Sequence, residues 1–206
     1  MKQESSFIYE TSIGSLNVKM VVPGPKPESN DRISFWWGLT TSAVALARYI
    51  ESELNVSGKA VLELGAGVGL PGLVACLKGA KVTLCDYVEE ALDNARSNAI
   101  ANGAENHNIS FLTMDWESPG QLGTFDIIIG AEIVYDYFFH SSLIDLMNKA
   151  LKLNGSLIIA DRERMVVNRF IGRLTRNGFT PEMKTVSITE EGLPNQTVTI
   201  YKLRRQ

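Results

Sequence analysis

The sequence predicts an α/β fold built on a mostly parallel sheet, and three observations support this prediction. A short apolar strand, 61–64, runs into the glycine-rich turn Gly65-Ala66-Gly67-Val68-Gly69 and then into a helix that begins near Pro71. Further strand-like runs alternate with stretches whose apolar residues recur every three or four positions. The run Phe125–Ala131 is almost continuously apolar, as is usual for a central strand that is covered on both faces.

Length, composition and charge limit the classes of protein that the sequence allows. The chain has 206 residues, of which 45% are hydrophobic, and this suits a single domain, 1–206, whose residues 1–34 form an N-terminal hairpin and loop extension. Its net charge of -3 gives no general attraction to nucleic acid. No run approaches the roughly 20 apolar residues of a membrane span, and the N-terminus lacks a signal-like apolar run. We therefore expect a cytoplasmic protein that binds neither nucleic acid nor membranes.

Cysteine and histidine usage gives no sign of a metal centre. Cys76 falls in a predicted helix and Cys85 late in a predicted strand, and their spacing is typical neither of metal ligands nor of a disulfide framework. We expect both to be reduced core residues, and we expect no metal site. His107 and His140 have no evident catalytic partner, so we expect them on the surface.

Local signals place the other elements along the chain. Two strand-like runs flank Ile13-Gly14-Ser15 and predict a hairpin that is an accessory to the core. The proline-rich segment 23–31 predicts a loop or a cover over the site, and Trp36 is expected to pack the next helix onto the sheet. Thr40 or Thr41 is a suitable N-cap for that helix. The predicted strands that follow the glycine turn are 80–86, 109–114, 125–131, 156–160, 183–189 and 197–203, of which the last two form an antiparallel pair.

The glycine-rich turn is expected to hold an anionic or nucleoside-bearing cofactor. Its glycines permit positive φ values and close approach of a ligand, and the following helix presents unpaired N–H groups at its N-terminus. Residues 67–72 also satisfy the G-x-G-x-x-G pattern, which keeps a nicotinamide-dependent oxidoreductase as an alternative. Glu63, two residues before the first glycine, would repel a pyrophosphate, whereas it can accept hydrogen bonds from an α-ammonium group or from nearby water.

Asp86 ends the next predicted strand, about 20 residues after the glycines. In nucleoside-binding α/β units, an acidic residue at this position accepts both ribose hydroxyls. A local role is the alternative, because Asp86 and Glu89 also fit an Asp-x-x-Glu capping box for the helix that follows.

In the register hydrophobic-Leu-Glu-x-Gly-x-Gly-x-Gly, residues 61–69 resemble motif I of the class I, seven-strand S-adenosylmethionine-dependent methyltransferases. The resemblance implies a Rossmann-like, doubly wound, mostly parallel seven-stranded sheet of order 3-2-1-4-5-7-6, with the last strand antiparallel. S-adenosylmethionine is then the cofactor and S-adenosylhomocysteine the product. The implied cofactor-binding residues in the strand ends and the turn are Glu63, Gly65, Ala66, Gly67, Gly69, Asp86 and Ala131.

Two tryptophans extend this implied site. Asp115 and Trp116 fall where class I methyltransferases recognise adenine, so Asp115 is expected to accept the adenine amino hydrogen bond and Trp116 to cover the ring or to donate backbone contacts. Trp116 covering the sheet edge is the alternative. Trp37 is expected either to close over the methionine part of the cofactor, through cation–π attraction to the sulfonium, or to act as a packing residue.

Glu132 and Tyr135 follow the apolar strand 125–131 and are the candidate catalytic residues. In a parallel sheet this strand end lies beside the topological switch, so both side chains are predicted to project toward the transferable methyl group. A solvated carboxylate at Glu132 and a packing role for Tyr135 are the alternatives. Arg162, in the charged run 161–164, is expected either to meet substrate or to belong to a solvated or helix-capping cluster.

With the segment Trp37-Gly38 and the E-x-x-Y element 132–135, the resemblance narrows to methyltransferase family 16, over residues from about 35 to 180. That family includes protein-lysine methyltransferases and nicotinamide N-methyltransferase-like relatives, and Gly38 stands where its members often carry proline. The resemblance implies methyl transfer to an amine, with a protein lysine as the leading substrate. A small-molecule amine is the main alternative, and a noncatalytic cofactor-binding protein is another. Residues 132–135 are not the Asp/Asn-Pro-Pro-aromatic motif of nucleic-acid amino methyltransferases.

Overall fold

The computed structural model of the chain describes residues 6–24, 37–104 and 108–205. The strands in these ranges are β1 Phe7–Ile13, β2 Leu16–Val22, β3 Ala60–Leu64, β4 Lys81–Asp86, β5 Ile109–Thr113, β6 Phe125–Ala131, β7 Leu151–Arg162, β8 Phe179–Ile188 and β9 Gln196–Arg205. The helices are α1 Thr41–Glu53, α2 Leu70–Leu77, α3 Glu89–Ala101, α4 His140–Ala150 and α5 Met165–Arg176, and a 3-10 turn, Tyr137–Phe139, precedes α4.

The main sheet has the order β5-β4-β3-β6-β7-β9-β8. Its strands pair in parallel from β5 to β7, whereas β9 is antiparallel to both β7 and β8. Counted from β3, this is 3-2-1-4-5-7-6 with the last strand antiparallel, so the predicted fold is confirmed. The order reverses between β3 and β6, and the carboxyl ends of these two strands therefore border the crevice in which such sheets bind ligands.

Alternate residues of the central strands enter two separate cores. Val61 and Ile127 pack on the face covered by α1, α2 and α3, whereas Leu62 and Ile128 pack on the face covered by α4 and α5. Both faces are therefore apolar, which explains why β6 is an almost unbroken hydrophobic run.

Helix α1 begins where the sequence predicted. The Thr40 side chain accepts a hydrogen bond from the N–H of Ala43 at 3.1 Å, which satisfies one of the unpaired donors of the first turn. The buried face of the helix then carries Val44, Leu46 and Ile50. The cap fixes the start of α1 directly after Trp37-Gly38, at the edge of the crevice.

The N-terminal hairpin of β1 and β2 contributes more to the core than the sequence predicted. The side chains of Ile13, Met20 and Val22 are fully buried in the same core as α1 to α3. Asn98 of α3 accepts the N–H of Val21 at 2.8 Å and donates to the Val68 carbonyl at 3.0 Å. The hairpin is thus connected through one amide side chain to the glycine turn, and it is not merely an accessory.

The surface prediction for His140 is wrong. Its side chain is only 1% exposed, and its ring packs edge-on against Phe170 with the ring centres 4.9 Å apart. The histidine begins α4, so the packing of α4 on α5 buries it. The predictions for His107, for Trp36 and for most of the loop 23–31 fall outside the described residues.

The cysteine prediction is confirmed, because Cys76 and Cys85 are both buried and free. In the part of the chain that the structure describes, no helix is long and apolar enough to cross a membrane.

Candidate active site

A cavity of about 350 Å³ lies at the carboxyl ends of β3, β4 and β6. This volume falls in the range typical of small-molecule sites. Of the predicted site residues, those that line the cavity are Trp37, Glu63, Gly65, Ala66, Gly67, Asp86, Trp116, Ala131, Glu132 and Tyr135. Gly69 and Asp115 do not line it.

The glycines of the turn are required for different structural reasons. Each has a positive φ, of 60° at Gly65, 51° at Gly67 and 83° at Gly69. Gly65 borders the cavity, and a side chain there would meet Ile133 at 3.0 Å and Trp116 at 3.5 Å. Gly69 is the N-cap of α2, and a side chain there would meet Ala95 of α3 at 2.9 Å. Gly65 therefore opens space beside the cavity, whereas Gly69 allows α2 to approach α3.

Glu63 is almost completely buried under the first turn of α2. Its Oε2 accepts the N–H of Gly72 at 2.9 Å, so the carboxyl group satisfies a donor that the helix itself leaves unpaired. Burial, and to a smaller extent the charge of Asp86, raise the pKa of Glu63 to about 8, against the lowering effect of the Gly72 amide. The side chain combines a structural bond to α2 with a position on the cavity wall.

Asp86 holds the glycine turn against the end of β4. Its Oδ2 accepts the N–H of Gly67 at 3.0 Å and its Oδ1 accepts the N–H of Val88 at 3.0 Å. Burial raises the pKa of Asp86, while these backbone N–H groups act to lower it. The predicted capping box with Glu89 does not form, because α3 begins at Glu89 itself and Val88 occupies the N-cap.

The aromatic residues at the cavity differ in how they are held. Trp116 is half-buried, with its ring edge-on to Phe139 at 5.9 Å between centres and its edge beside Gly65. Asp115, one residue earlier, instead accepts the N–H of Glu117 at 3.0 Å and turns the chain after β5. Trp37 is half-buried and borders the cavity next to the cap of α1.

Glu132 has an unusual backbone. Its φ of 54° makes it the one non-glycine residue with a positive φ among the described residues. Such a conformation costs on the order of 1–3 kcal/mol and persists only where the surroundings hold it. Here its N–H donates to the Ala160 carbonyl of β7 at 2.9 Å, and its Oε2 accepts a hydrogen bond from Arg162 Nη2 at 2.8 Å. The carboxylate is therefore fixed on the cavity wall by the neighbouring strand.

The charged run at the end of β7 is not a solvated cluster. Asp161 is completely buried and forms a two-bond pair with Arg164, at 2.9 and 2.7 Å. Burial raises the pKa of Asp161 to about 6, against the lowering effect of Arg164. Arg162 and Arg164 both line the cavity, so the cluster belongs to the site.

Several cavity residues were not predicted from the sequence. Tyr87 follows Asp86 at the tip of β4, and this adjacency is a signal that could have found it. Ile133 lies inside the E-x-x-Y element and packs over Gly65. Pro194 comes from the connection of β8 to β9 and Gln196 begins β9, and no local pattern brings them to the cavity. They reach it because β9 lies between β7 and β8 in the sheet.

Comparison with known proteins agrees with this geometry. The sequence profile of a family described as "Lysine methyltransferase" matches residues 34–177. The chain belongs to this family, methyltransferase family 16. The match includes the glycine turn, Asp86 and the Glu132–Tyr135 element, so the family resemblance noted in the sequence is confirmed.

The chain spans less than two thirds of the length of each of the following relatives. The chain is 36% identical over 118 residues to Protein N-lysine methyltransferase METTL21A of Xenopus tropicalis, spanning 55% of this chain and 53% of that protein. It is 31% identical over 167 residues to Protein N-terminal and lysine N-methyltransferase efm7 of Aspergillus fumigatus, spanning 73% of this chain and 62% of that protein. A Histidine protein methyltransferase 1 homolog of Dictyostelium discoideum is 34% identical over 54% of this chain and 38% of its own length.

Solved structures share the fold at lower identity. The N-methyltransferase NodS from Bradyrhizobium japonicum, in complex with S-adenosyl-l-homocysteine, superimposes with a TM-score of 0.63 at 22% identity over 79% of this chain and 85% of its own. A magnesium protoporphyrin IX methyltransferase from Synechocystis with bound SAM gives a TM-score of 0.63 at 18% identity over 86% of this chain and 87% of its own. These similarities show that the chain has the fold of the class I methyltransferases.

Proposed function

We propose that the protein transfers a methyl group from S-adenosylmethionine to an amine nitrogen, and that the acceptor is the side chain of a protein lysine. The observation that supports this most directly is that Glu132 lines the same cavity as the glycine turn and Asp86. One wall suits a nucleoside-bearing cofactor and the other a cationic acceptor. Family membership and the lysine methyltransferase names of METTL21A and efm7 support the same activity.

The cavity fits the cofactor in size and in the chemistry of its walls. We assign the cofactor's ribose to Asp86, its amino acid end to Glu63, and its closest backbone contact to Gly65, where no side chain intervenes. Trp116 replaces Asp115 as the side chain that we propose for adenine, because Asp115 does not line the cavity. When bound, S-adenosylmethionine supplies a methyl group made electrophilic by its sulfonium, and S-adenosylhomocysteine is the product.

Glu132 is the residue that we propose to recognise the incoming lysine. A lysine ammonium has no free lone pair, and its neutral form at pH 7 costs roughly 4 to 5 kcal/mol relative to a reference pKa near 10.4. Glu132 attracts the ammonium to the crevice, and Tyr135 orients the nitrogen by its hydroxyl or its ring face. The proton then leaves to water, and no covalent intermediate with the protein is formed.

We propose that Arg162 reduces the effect of the Glu132 charge on the protonation of the lysine. An isolated Glu132 would stabilise the ammonium and oppose its loss of a proton. The guanidinium 2.8 Å away shares the negative charge of Glu132, so the ammonium is attracted without being held in its charged form. We therefore propose that Arg162 positions and moderates Glu132 and does not itself touch the reacting atoms.

The matched relatives carry names with different methyl acceptors, so the acceptor needs a test of its own. Relatives carry names that specify histidine, N-terminal and lysine, and histone arginine acceptors. Incubation of the protein with methyl-labelled cofactor and a cell extract separates the possibilities. Label in protein supports the proposal, whereas label found only in small molecules would replace the lysine by a small-molecule amine.

Cofactor identity is tested independently by thermal unfolding. Saturating S-adenosylmethionine or S-adenosylhomocysteine is expected to raise Tm, and NAD is expected to leave it unchanged. Stabilisation by NAD alone would contradict the cofactor assignment. Asp86→Ala is expected to weaken S-adenosylhomocysteine binding, and unchanged affinity would leave Asp86 with its bonds to Gly67 and Val88 as its only role.

We further propose that residues 1–206 act as one domain in the cytoplasm. Cys76 and Cys85 are free and buried, which suits a compartment that keeps thiols reduced. A fluorescent fusion found in a secretory compartment would contradict this location.

A further inference from the structure

A second cavity lies between α4 and α5, outside the crevice at the strand ends. It is lined by three arginines of α5, Arg169, Arg173 and Arg176, together with Tyr137 and His140. The arginines follow one another at intervals of four and three residues, which places them on one face of the helix. Of the seven described residues that line the cavity, three are arginines and none is acidic.

The arginines of this cavity form no ion pair within the described part of the chain, although the carboxylate of Asp136 lies close enough to oppose the lowering of the His140 pKa by burial. None of the three guanidinium groups forms an ion pair there, and no carboxylate lines the cavity. Arg173 instead donates to the Ser141 hydroxyl at 2.9 Å. The chain as a whole carries a net charge of -3, whereas this cavity has a local excess of positive charge.

A buried polar atom in the cavity wall has no hydrogen-bond partner among residues 6–24, 37–104 and 108–205. This atom is Nδ1 of His140, whose side chain is 1% exposed. The other ring nitrogen lies 3.4 Å from the Val134 carbonyl. With the ring proton on Nε2, toward the Val134 carbonyl, Nδ1 is an unused acceptor that suits a backbone N–H of a bound segment.

Exposed apolar side chains lie next to residues of this cavity in space or in the chain. Arg169 contacts the sulfur of Met165 at 3.9 Å and lies 5.5 Å from the centre of the Tyr137 ring. Met165 is 69% exposed, and Phe138, which follows Tyr137, is 68% exposed. Apolar and aromatic groups beside arginines are typical of protein interfaces.

We infer that this cavity, with its apolar rim, docks an acidic segment of the protein substrate. The inference rests on the proposed function, because it names the substrate as a protein with carboxylates close to its target lysine. Arginines suit carboxylates through paired N–H donors. The connection to the crevice is short: Tyr137 lines the second cavity, and Tyr135, two residues earlier, lines the first. A segment bound at α5 thus brings a neighbouring lysine to Glu132.

A binding assay tests this without any methyl transfer. Fluorescence anisotropy is measured with a labelled oligoglutamate peptide, an oligolysine peptide and an oligothymidylate of matched charge. We expect wild-type protein to bind oligoglutamate, and the double variant Arg173→Glu/Arg176→Glu to bind it at least about tenfold more weakly, or about 1.4 kcal/mol. Lys81→Glu/Lys149→Glu, which reverses the charge of two exposed lysines outside this cavity, is the matched control and is expected to bind like wild type.

Each outcome decides the inference. Equal oligoglutamate affinity of wild type and the double variant, or equal losses in the variant and the control, would overturn it. Preference for oligothymidylate would replace the acidic protein segment by nucleic acid. Unchanged Tm and S-adenosylhomocysteine affinity of the double variant show that it is folded, and the milder Arg173→Gln/Arg176→Gln serves if it is not. Because no turnover is measured, failure here is distinct from failure of the proposed methyl transfer.

Discussion

Arg162 Nη2 lies 2.8 Å from Glu132 Oε2, although 30 residues separate them in the chain. The two meet because β6 and β7 are parallel neighbours, with Ala131 opposite Ala160. The pair places a partly neutralised carboxylate on the wall of the cofactor-sized cavity. This arrangement is the basis of the proposed recognition of a lysine ammonium.

Removing either candidate catalytic side chain is expected to impair the chemical step. Glu132→Ala and Tyr135→Ala should each lower turnover at least about tenfold, or roughly 1.4 kcal/mol of transition-state stabilisation, because each orients the amine. Calorimetry should show that S-adenosylhomocysteine affinity changes less. If both variants kept wild-type turnover on the identified substrate, the catalytic contacts would have to lie around Trp37 or Arg162.

Arg162 is expected to act through Glu132. Arg162→Met should lower kcat several-fold and shift its pH profile to higher pH, since an unneutralised Glu132 stabilises the ammonium. Arg162→Lys should restore part of the rate, because it keeps the charge. Glu163→Gln, at an exposed neighbouring position, is the control. A pH profile that is identical in wild type and Arg162→Met would show that the arginine has only a structural role.

Gly72, in the first turn of α2, is expected not to tolerate a side chain. A Cβ at Gly72 would meet Leu84 at 2.1 Å and the Glu63 carboxylate at 2.5 Å, so Gly72→Ala should lower the free energy of unfolding by about 1–3 kcal/mol. Gly172, in α5, is the matched control: its nearest neighbour would be Arg176 at 3.9 Å. Gly172→Ala should stabilise the protein by roughly 0.5–1 kcal/mol. Urea unfolding measures both, and equal effects would contradict the packing described for Gly72.

Glu63 should make stability depend on pH. Folding raises its pKa from 4.5 to about 8, so the folded chain keeps a proton that the unfolded chain has lost. Its contribution is therefore fully present below pH 4.5 and is lost as the pH rises toward 8. The Glu63→Gln variant keeps an acceptor for the Gly72 N–H but does not titrate. Between about pH 6 and 8, the free energy of unfolding of the cofactor-free wild type should therefore fall by about 2 kcal/mol more than that of the variant. Asp161 contributes mainly at lower pH, because its raised pKa is about 6. Parallel pH dependence of the two proteins in urea unfolding would be evidence against a protonated Glu63.

The fold could be predicted from local signals in the sequence, because each of its main features depends on a few neighbouring residues. The Thr40 cap, the glycine turn and the apolar run of β6 all depend on short-range geometry or on burial of both strand faces. Asp86 was predicted at a strand end, and its bond to Gly67 follows from that position. The regular order of strands and helices then placed most candidate residues at one edge of the sheet.

The remaining features depend on contacts between distant segments. Glu132 meets Arg162 only in the register of β6 with β7, and the sequence contains no local sign of that pairing. His140 looked like a surface residue because its burial comes from Phe170 on another helix. Asp115 occupies the predicted place in the chain, yet a local bond to Glu117 turns it away from the cavity wall.

The most direct test of lysine methylation is to locate the transferred methyl group. The protein is incubated with a cell extract and S-adenosylmethionine that carries a deuterated methyl group, and the peptides are analysed by tandem mass spectrometry. We predict a deuterated methyl group on the side-chain nitrogen of a protein lysine, strongly reduced when Glu132→Ala replaces the wild-type enzyme. A label found only on histidine, arginine or small molecules, or label on lysine that is equal with the variant, would contradict the account.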